Sequence, residues 1–219
     1  HEDLQKILRQ QQPRLDVNWA NPEDGATAAF ASAQQGHDKC LAQLISNGAD
    51  LSRAGKIGFA PIHIACQYGR YACIELLAVN RVDLNLRVAS DNGPTPAMIC
   101  CQNGHVKCLA LLSDKGADLS LVDNKQGLTV AHLASQYGQL KCLQLLGKRG
   151  AELSRKDDKG HTPLDQARAL KHPECVDHLL TSGATGRKVE DVPTATEADK
   201  VFKLCQPVFR LRPCPKLLS

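Results

Sequence analysis

The chain has 219 residues, of which 42% are hydrophobic, 23% charged and only 4% aromatic, so a thick globular core built on Phe, Tyr and Trp is excluded and thin layers of small side chains are expected. The net charge is +4, and residues 185–219 hold most of the excess, with 7 Lys and Arg against 4 Asp and Glu; no basic stripe interleaved with aromatics marks a nucleic-acid partner. No apolar run approaches the ~18–20 residues that cross a bilayer, and no signal peptide is visible.

Residues 1–21 read as the second half of a helical unit. Leu4, Ile7 and Leu8 have helical spacing, and Leu15-Asp16-Val17-Asn18 follows as a loop. The sequence starts at His1 and lacks a first helix to cap this half unit, so a truncated start is expected.

A repeat then governs residues 22–184. Gly25, Gly58, Gly93, Gly127 and Gly160 open similar segments at spacings of 33, 35, 34 and 33 residues. Cys40, Cys73, Cys108, Cys142 and Cys175 keep the same beat, each 15 residues after its glycine. The units run 24–57, 58–92, 93–126, 127–159 and 160–184. Each reads as turn, helix, turn, helix, loop. Thr95-Pro96 and Thr162-Pro163 mark helix starts, because Thr caps free N–H groups and Pro fits the first helical position. Gly36, Gly69, Gly104 and Gly138 end the first helices. Second helices, such as the one carrying Cys108, Leu109, Leu111 and Leu112, end at Asn47-Gly48, Lys115-Gly116 and Arg149-Gly150.

Pro61-Ile62-His63-Ile64-Ala65, Ala131-His132-Leu133-Ala134, Gly48-Ala49-Asp50 and Gly116-Ala117-Asp118 closely resemble the ankyrin repeat. The resemblance covers about residues 24–184 as five units, with the half unit before them. It implies an all-α solenoid of stacked helix-turn-helix units with short β-hairpin-like turns. The first unit departs from the motif at Thr27-Ala28-Ala29-Phe30, and the last at Asp165; terminal units of a stack are often atypical.

The resemblance also implies that His63 and His132 bond between adjacent units. Neither has a second ligand or a nucleophile at useful spacing. The periodic cysteines sit about one helix-packing distance apart, ~8–10 Å, beyond the ~7 Å a disulfide spans between Cα atoms. They are expected to be small buried hydrophobes, as are Cys66, Cys100 and Cys101, which stand where the family usually has Ala. Such a thiol-rich chain points to a reducing compartment, cytoplasm or nucleus. No phosphate loop, nucleophile elbow or zinc-protease motif is present, so no enzyme activity, catalytic residue, metal or cofactor is expected.

By the same resemblance, turn tips form fingers and first helices a palm that holds a protein partner. The expected contacts, centred on the second to fourth units, are Lys56, Ile57, Phe59, Gln67, Tyr68, Asp91, Asn92, Gln102, Asn103, Lys125, Gln126, Leu128, Gln136 and Tyr137. Of these, Ile57, Phe59, Tyr68, Leu128 and Tyr137 are apolar or aromatic and expected to face outward, as interface anchors do. A monomeric scaffold or adaptor follows as the leading reading.

Residues 185–219 break the pattern with Pro193, Pro207, Pro213 and Pro215. A short helix over 194–204 and a flexible end are expected. Val201, Leu204-Cys205 and Phe209 loosely resemble the elongin-binding box of ubiquitin-ligase substrate receptors, although that box takes Leu at Val201 and disfavours Pro207. A substrate-recognition subunit of a ubiquitin ligase and the targeting module of a larger, truncated enzyme therefore stand as alternatives.

Overall fold

The computed structural model describes residues 16–88, 93–123 and 126–186. The half unit before Asp16, the end after Gly186 and the elongin-box resemblance at 201–209 lie outside the described residues.

Ten helices occupy the described residues, in five antiparallel pairs. They are α1 (Ala28–Gln35), α2 (Asp38–Ser46), α3 (Pro61–Gln67), α4 (Tyr71–Val79), α5 (Pro96–Asn103), α6 (Val106–Asp114), α7 (Val130–Gln136), α8 (Leu140–Lys148), α9 (Pro163–Ala169) and α10 (Pro173–Thr181). The odd-numbered helices pack on one another as an inner row, the even-numbered ones as an outer row, and each pair closes on itself. Such short helices are marginal alone and depend on this packing.

Thr95 and Thr162 cap as the sequence predicts, and Thr27 and Thr129 join them. Thr95 Oγ1 accepts from the Met98 N–H at 3.4 Å and Thr162 Oγ1 from the Asp165 N–H at 3.3 Å, while Thr27 and Thr129 act alike. Ala60 has no side-chain acceptor, and the start of α3 is held instead by His63, whose Nδ1 accepts from the Ala60 N–H at 3.1 Å.

The fingers are narrow antiparallel turns. Ala20 bridges Thr27 and Val122 bridges Thr129, and no longer strand forms among the described residues. Neighbouring fingers join through the backbone: the Lys56 N–H donates to the Asp24 carbonyl at 2.8 Å and the Asp158 N–H to the Gln126 carbonyl at 3.0 Å.

The core is a thin sandwich between the rows. Ile62, Ile74, Leu77, Met98, Leu109, Leu112, Leu143 and Leu146 are wholly buried, each contributing about 1.5–3 kcal/mol. Cys66, Cys73, Cys100, Cys101, Cys108, Cys142 and Cys175 are free and buried, and fill the space of small hydrophobes. Burial pushes the Cys73, Cys100 and Cys101 thiols up, and Cys175 to about 11, which suits inert packing groups. Cys40 corrects the expectation of burial, because it is exposed. In the next unit the equivalent Cys73 is buried against Ser32 of the preceding one.

Candidate interaction surface

His132 pins the fourth unit to the fifth, whereas His63, against expectation, ties the start of α3 to the loop that closes its own unit. With Nδ1 accepting the Ala60 N–H, His63 carries its proton on Nε2 and donates to the Leu86 carbonyl at 2.8 Å. His132 accepts from the Thr129 N–H at 3.1 Å and donates to the His161 carbonyl at 3.0 Å. Burial drives the His63 pKa down to about 4 and lowers that of His132, so both rings are neutral near pH 7.

A second ladder was not legible in the sequence. The residue that opens four of the five outer helices donates to the end of the preceding unit's inner helix. Arg70 Nε reaches the Gln34 carbonyl at 2.9 Å, His105 Nε2 that of Gln67 at 3.0 Å, Gln139 Nε2 that of Gln102 at 3.4 Å and His172 Nε2 that of Gln136 at 3.0 Å. Arg, His and Gln share no obvious pattern, but all carry a planar N–H at the right reach. The acceptors are the one uniform signal, a Gln at the same position in four units. These bonds fix the C-terminal ends of the inner helices, and with them the side chains of the palm.

The inner helices of four units carry no charged residue of their own. Helices α1, α3, α5 and α7 contain no Asp, Glu, Lys or Arg. Their C-terminal ends present Gln35, Tyr68, Asn103 and Tyr137, one per unit, the first three exposed. Tyr68 is 37% exposed, and the Arg70 guanidinium lies 5.9 Å from its ring centroid, a cation–π distance. Asn103 is exposed and its Nδ2 donates to the Ile99 carbonyl at 2.8 Å. Tyr137 is half-buried, and its Oη accepts from Gln102 Nε2 at 3.1 Å. Gln67 and Gln102 are half-buried beside them.

Three expected contacts need correction. Phe59 is 6% and Leu128 3% exposed, so neither faces outward. Both follow an opening glycine and pair across the finger, Phe59 with Gly55 and Leu128 with Asp123. That pairing turns the side chains inward, and Phe59 meets His63 edge-on at 5.8 Å between centroids. Gln136 is 2% exposed; it lies in the closely packed junction of α7 with α9.

The remaining finger residues divide. Lys56 is exposed, with Nζ donating to the Pro22 carbonyl at 2.6 Å. Ile57 is half-buried against the core, and the Gln126 backbone donates to Asp123 Oδ1 at 3.3 Å. Asp91, Asn92 and Lys125 lie outside the described residues. Tyr71 and Val79 are exposed on α4, away from the palm.

Among the described residues no group of three or more His, Cys, Asp or Glu is arranged to hold a metal ion, and no helix is long and apolar enough to cross a membrane.

Paired helices, finger turns and an inner row of stacked helices define a helical repeat protein. A family model described as ankyrin repeats, three copies, matches residues 1–88, 80–157 and 124–189. The chain belongs to the ankyrin-repeat family, whose repeats generally mediate protein–protein interaction.

Proposed function

We propose that this chain is a scaffold or adaptor that holds one protein partner in its concave palm, centred on the second to fourth units. The observation that carries the reading is the row at the ends of the inner helices, Gln35, Tyr68, Asn103 and Tyr137, whose own side chains are uncharged and at least partly open to solvent. Rows of solvated surface ordinarily carry charge, and the central region of an interface is depleted of charge and enriched in Tyr. Here Tyr68 and Tyr137 flank Asn103, while the outer helices carry Lys39, Glu75, Lys107 and Lys141. The proposed contacts are Tyr68, Asn103 and Tyr137, with Gln67 and Gln102 beside them and Lys56, Ile57 and Gln126 at the finger rim.

A photo-crosslinking amino acid placed at Asn103 tests this in cells. It should capture a discrete partner that the same probe at Lys141 on the outer row does not. Equal capture from both positions, or capture from Lys141 alone, contradicts the palm as the binding face.

A further inference from the structure

Five of the buried thiols touch one another where the second, third and fourth units meet. Cys100 on α5 hydrogen-bonds with Cys66 of α3 and with Cys108 of α6. Its neighbour Cys101 hydrogen-bonds with Cys142 of α8, in the fourth unit.

Packing alone does not call for these contacts. Cys66, Cys100 and Cys101 stand where the family usually has Ala, which fills a thin layer as well. Ala33 and Ser135 occupy the place of Cys101 in the first and fourth units. The thiol that follows the first of these, Cys73, meets a backbone carbonyl instead, that of Ser32 at 4.0 Å.

The thiols differ in chemistry. Burial pushes Cys100 and Cys101 up, and the bond to Cys100 together with burial does the same to Cys108. Cys142 goes the other way, because the Cys101 thiol donates to its sulfur and favours the charged form. The thiolate is the form that attacks an oxidant. Cys142 therefore reacts ahead of its neighbours, and a second thiol already lies beside it. Sulfurs in hydrogen-bond contact are also the ones nearest the ~2.05 Å of a disulfide.

We infer that Cys101 and Cys142 are a reversible oxidation site, at which a small hydroperoxide forms a disulfide that clasps the third unit to the fourth. In the first step Cys142 attacks hydrogen peroxide and the O–O bond breaks, giving a sulfenic acid and one water. In the second the Cys101 sulfur displaces the hydroxyl, which leaves as a second water with the Cys101 proton. The two sulfurs lose two electrons and the peroxide gains them. Both thiols are buried, so the oxidant enters through brief local openings of the stack and must be close to water in size. The bond adds to ties already present at this junction: Gln102 Nε2 donates to Tyr137 Oη at 3.1 Å, and Gln139 Nε2 donates to the Gln102 carbonyl at 3.4 Å.

Peroxide treatment of the full chain tests the inference, with Cys40, Cys205 and Cys214 replaced by Ser to remove the thiols outside the core. Remaining thiols are alkylated in denaturant and the tryptic peptides read by mass spectrometry. Cleavage after Arg87, Lys107, Lys115, Lys141 and Lys148 puts Cys108 and Cys142 in separate peptides, both apart from Cys100 and Cys101. The folded chain should yield the 88–107 peptide joined to the 142–148 peptide, about 2 Da below their sum and parted by dithiothreitol. Fragmentation should place the bond at Cys101. Cys101→Ala should abolish the link and Cys100→Ala should retain it, each variant carrying the family's usual residue. A bond through Cys100 or Cys108, Cys142 oxidised to sulfinic acid without a link, or thiols that join only after denaturant is added overturns the inference.

Discussion

His63 and Leu86 are joined by a 2.8 Å hydrogen bond that crosses 23 positions of sequence and ties the start of α3 to the loop that closes the second unit. Its other nitrogen caps the start of α3, where Ala60 has no side-chain acceptor of its own. Replacing His63 by Leu removes both bonds and leaves the buried Ala60 N–H and the partly buried Leu86 carbonyl without these partners. Each such orphan costs about 1–3 kcal/mol. Urea unfolding of His63→Leu should therefore show a loss of several kcal/mol, far above that of a surface substitution such as Lys141→Ala.

The same ring makes stability depend on pH. The folded protein holds the His63 pKa at about 4 through burial, against an ordinary value of 6.5. The unfolded chain thus takes up the proton first as pH falls. Stability from this group is complete above about pH 6.5, declines as pH falls towards 4, and levels off below. Its size is on the order of 3 kcal/mol, and His132 shifts in the same direction. Denaturant midpoints measured from pH 7.5 to 4.5 should fall steadily, and the slope should be shallower in His63→Leu.

Gly69 and Gly116 separate backbone strain from packing. Both have positive φ, 64° and 92°, and Ala at either costs about 1–2 kcal/mol of left-handed strain. A Cβ on Gly69 would also lie 2.7 Å from His105 Nδ1, whereas one on Gly116 meets nothing within 4 Å. Gly69→Ala should be the more destabilising in thermal unfolding, because it displaces the imidazole that bonds Gln67. Equal losses would show that the His105 contact contributes nothing.

Gly147 offers the opposite outcome. It lies inside α8 without a positive φ, and an added Cβ would stand 3.7 Å from Leu153 Cδ1 and 4.0 Å from His178 Nε2, ordinary contact. Gly147→Ala should raise stability by about 0.5–1 kcal/mol, measurable as a higher unfolding midpoint.

The fold was legible because its determinants recur. A glycine with positive φ, a Thr cap or a buried Cys recurs in most units, and the marks reinforce one another. The palm was partly legible: Tyr68 and Asn103 sit exposed where the pattern puts them. The fingers were not, because Phe59 and Leu128 occupy a two-residue alternation too short for periodicity to reveal, and adjacent positions there point to opposite sides. The Arg70, His105, Gln139 and His172 ladder escaped notice for another reason: four bonds of one kind are made by three different residue types. Burial of Gln136 depends on how closely α7 meets α9, which is a property of the assembled stack.

The central claim is that partner binding runs through the inner row. Its most direct test is the affinity of the crosslinked partner for a Tyr68→Ala, Tyr137→Ala variant, with folding checked by circular dichroism and thermal unfolding. Two interface anchors of this kind are worth at least about 2 kcal/mol together, roughly a thirty-fold loss, while the outer-row pair Lys107→Ala, Lys141→Ala should bind as the unaltered chain does. A folded Tyr68→Ala, Tyr137→Ala variant that binds at full strength would contradict the account.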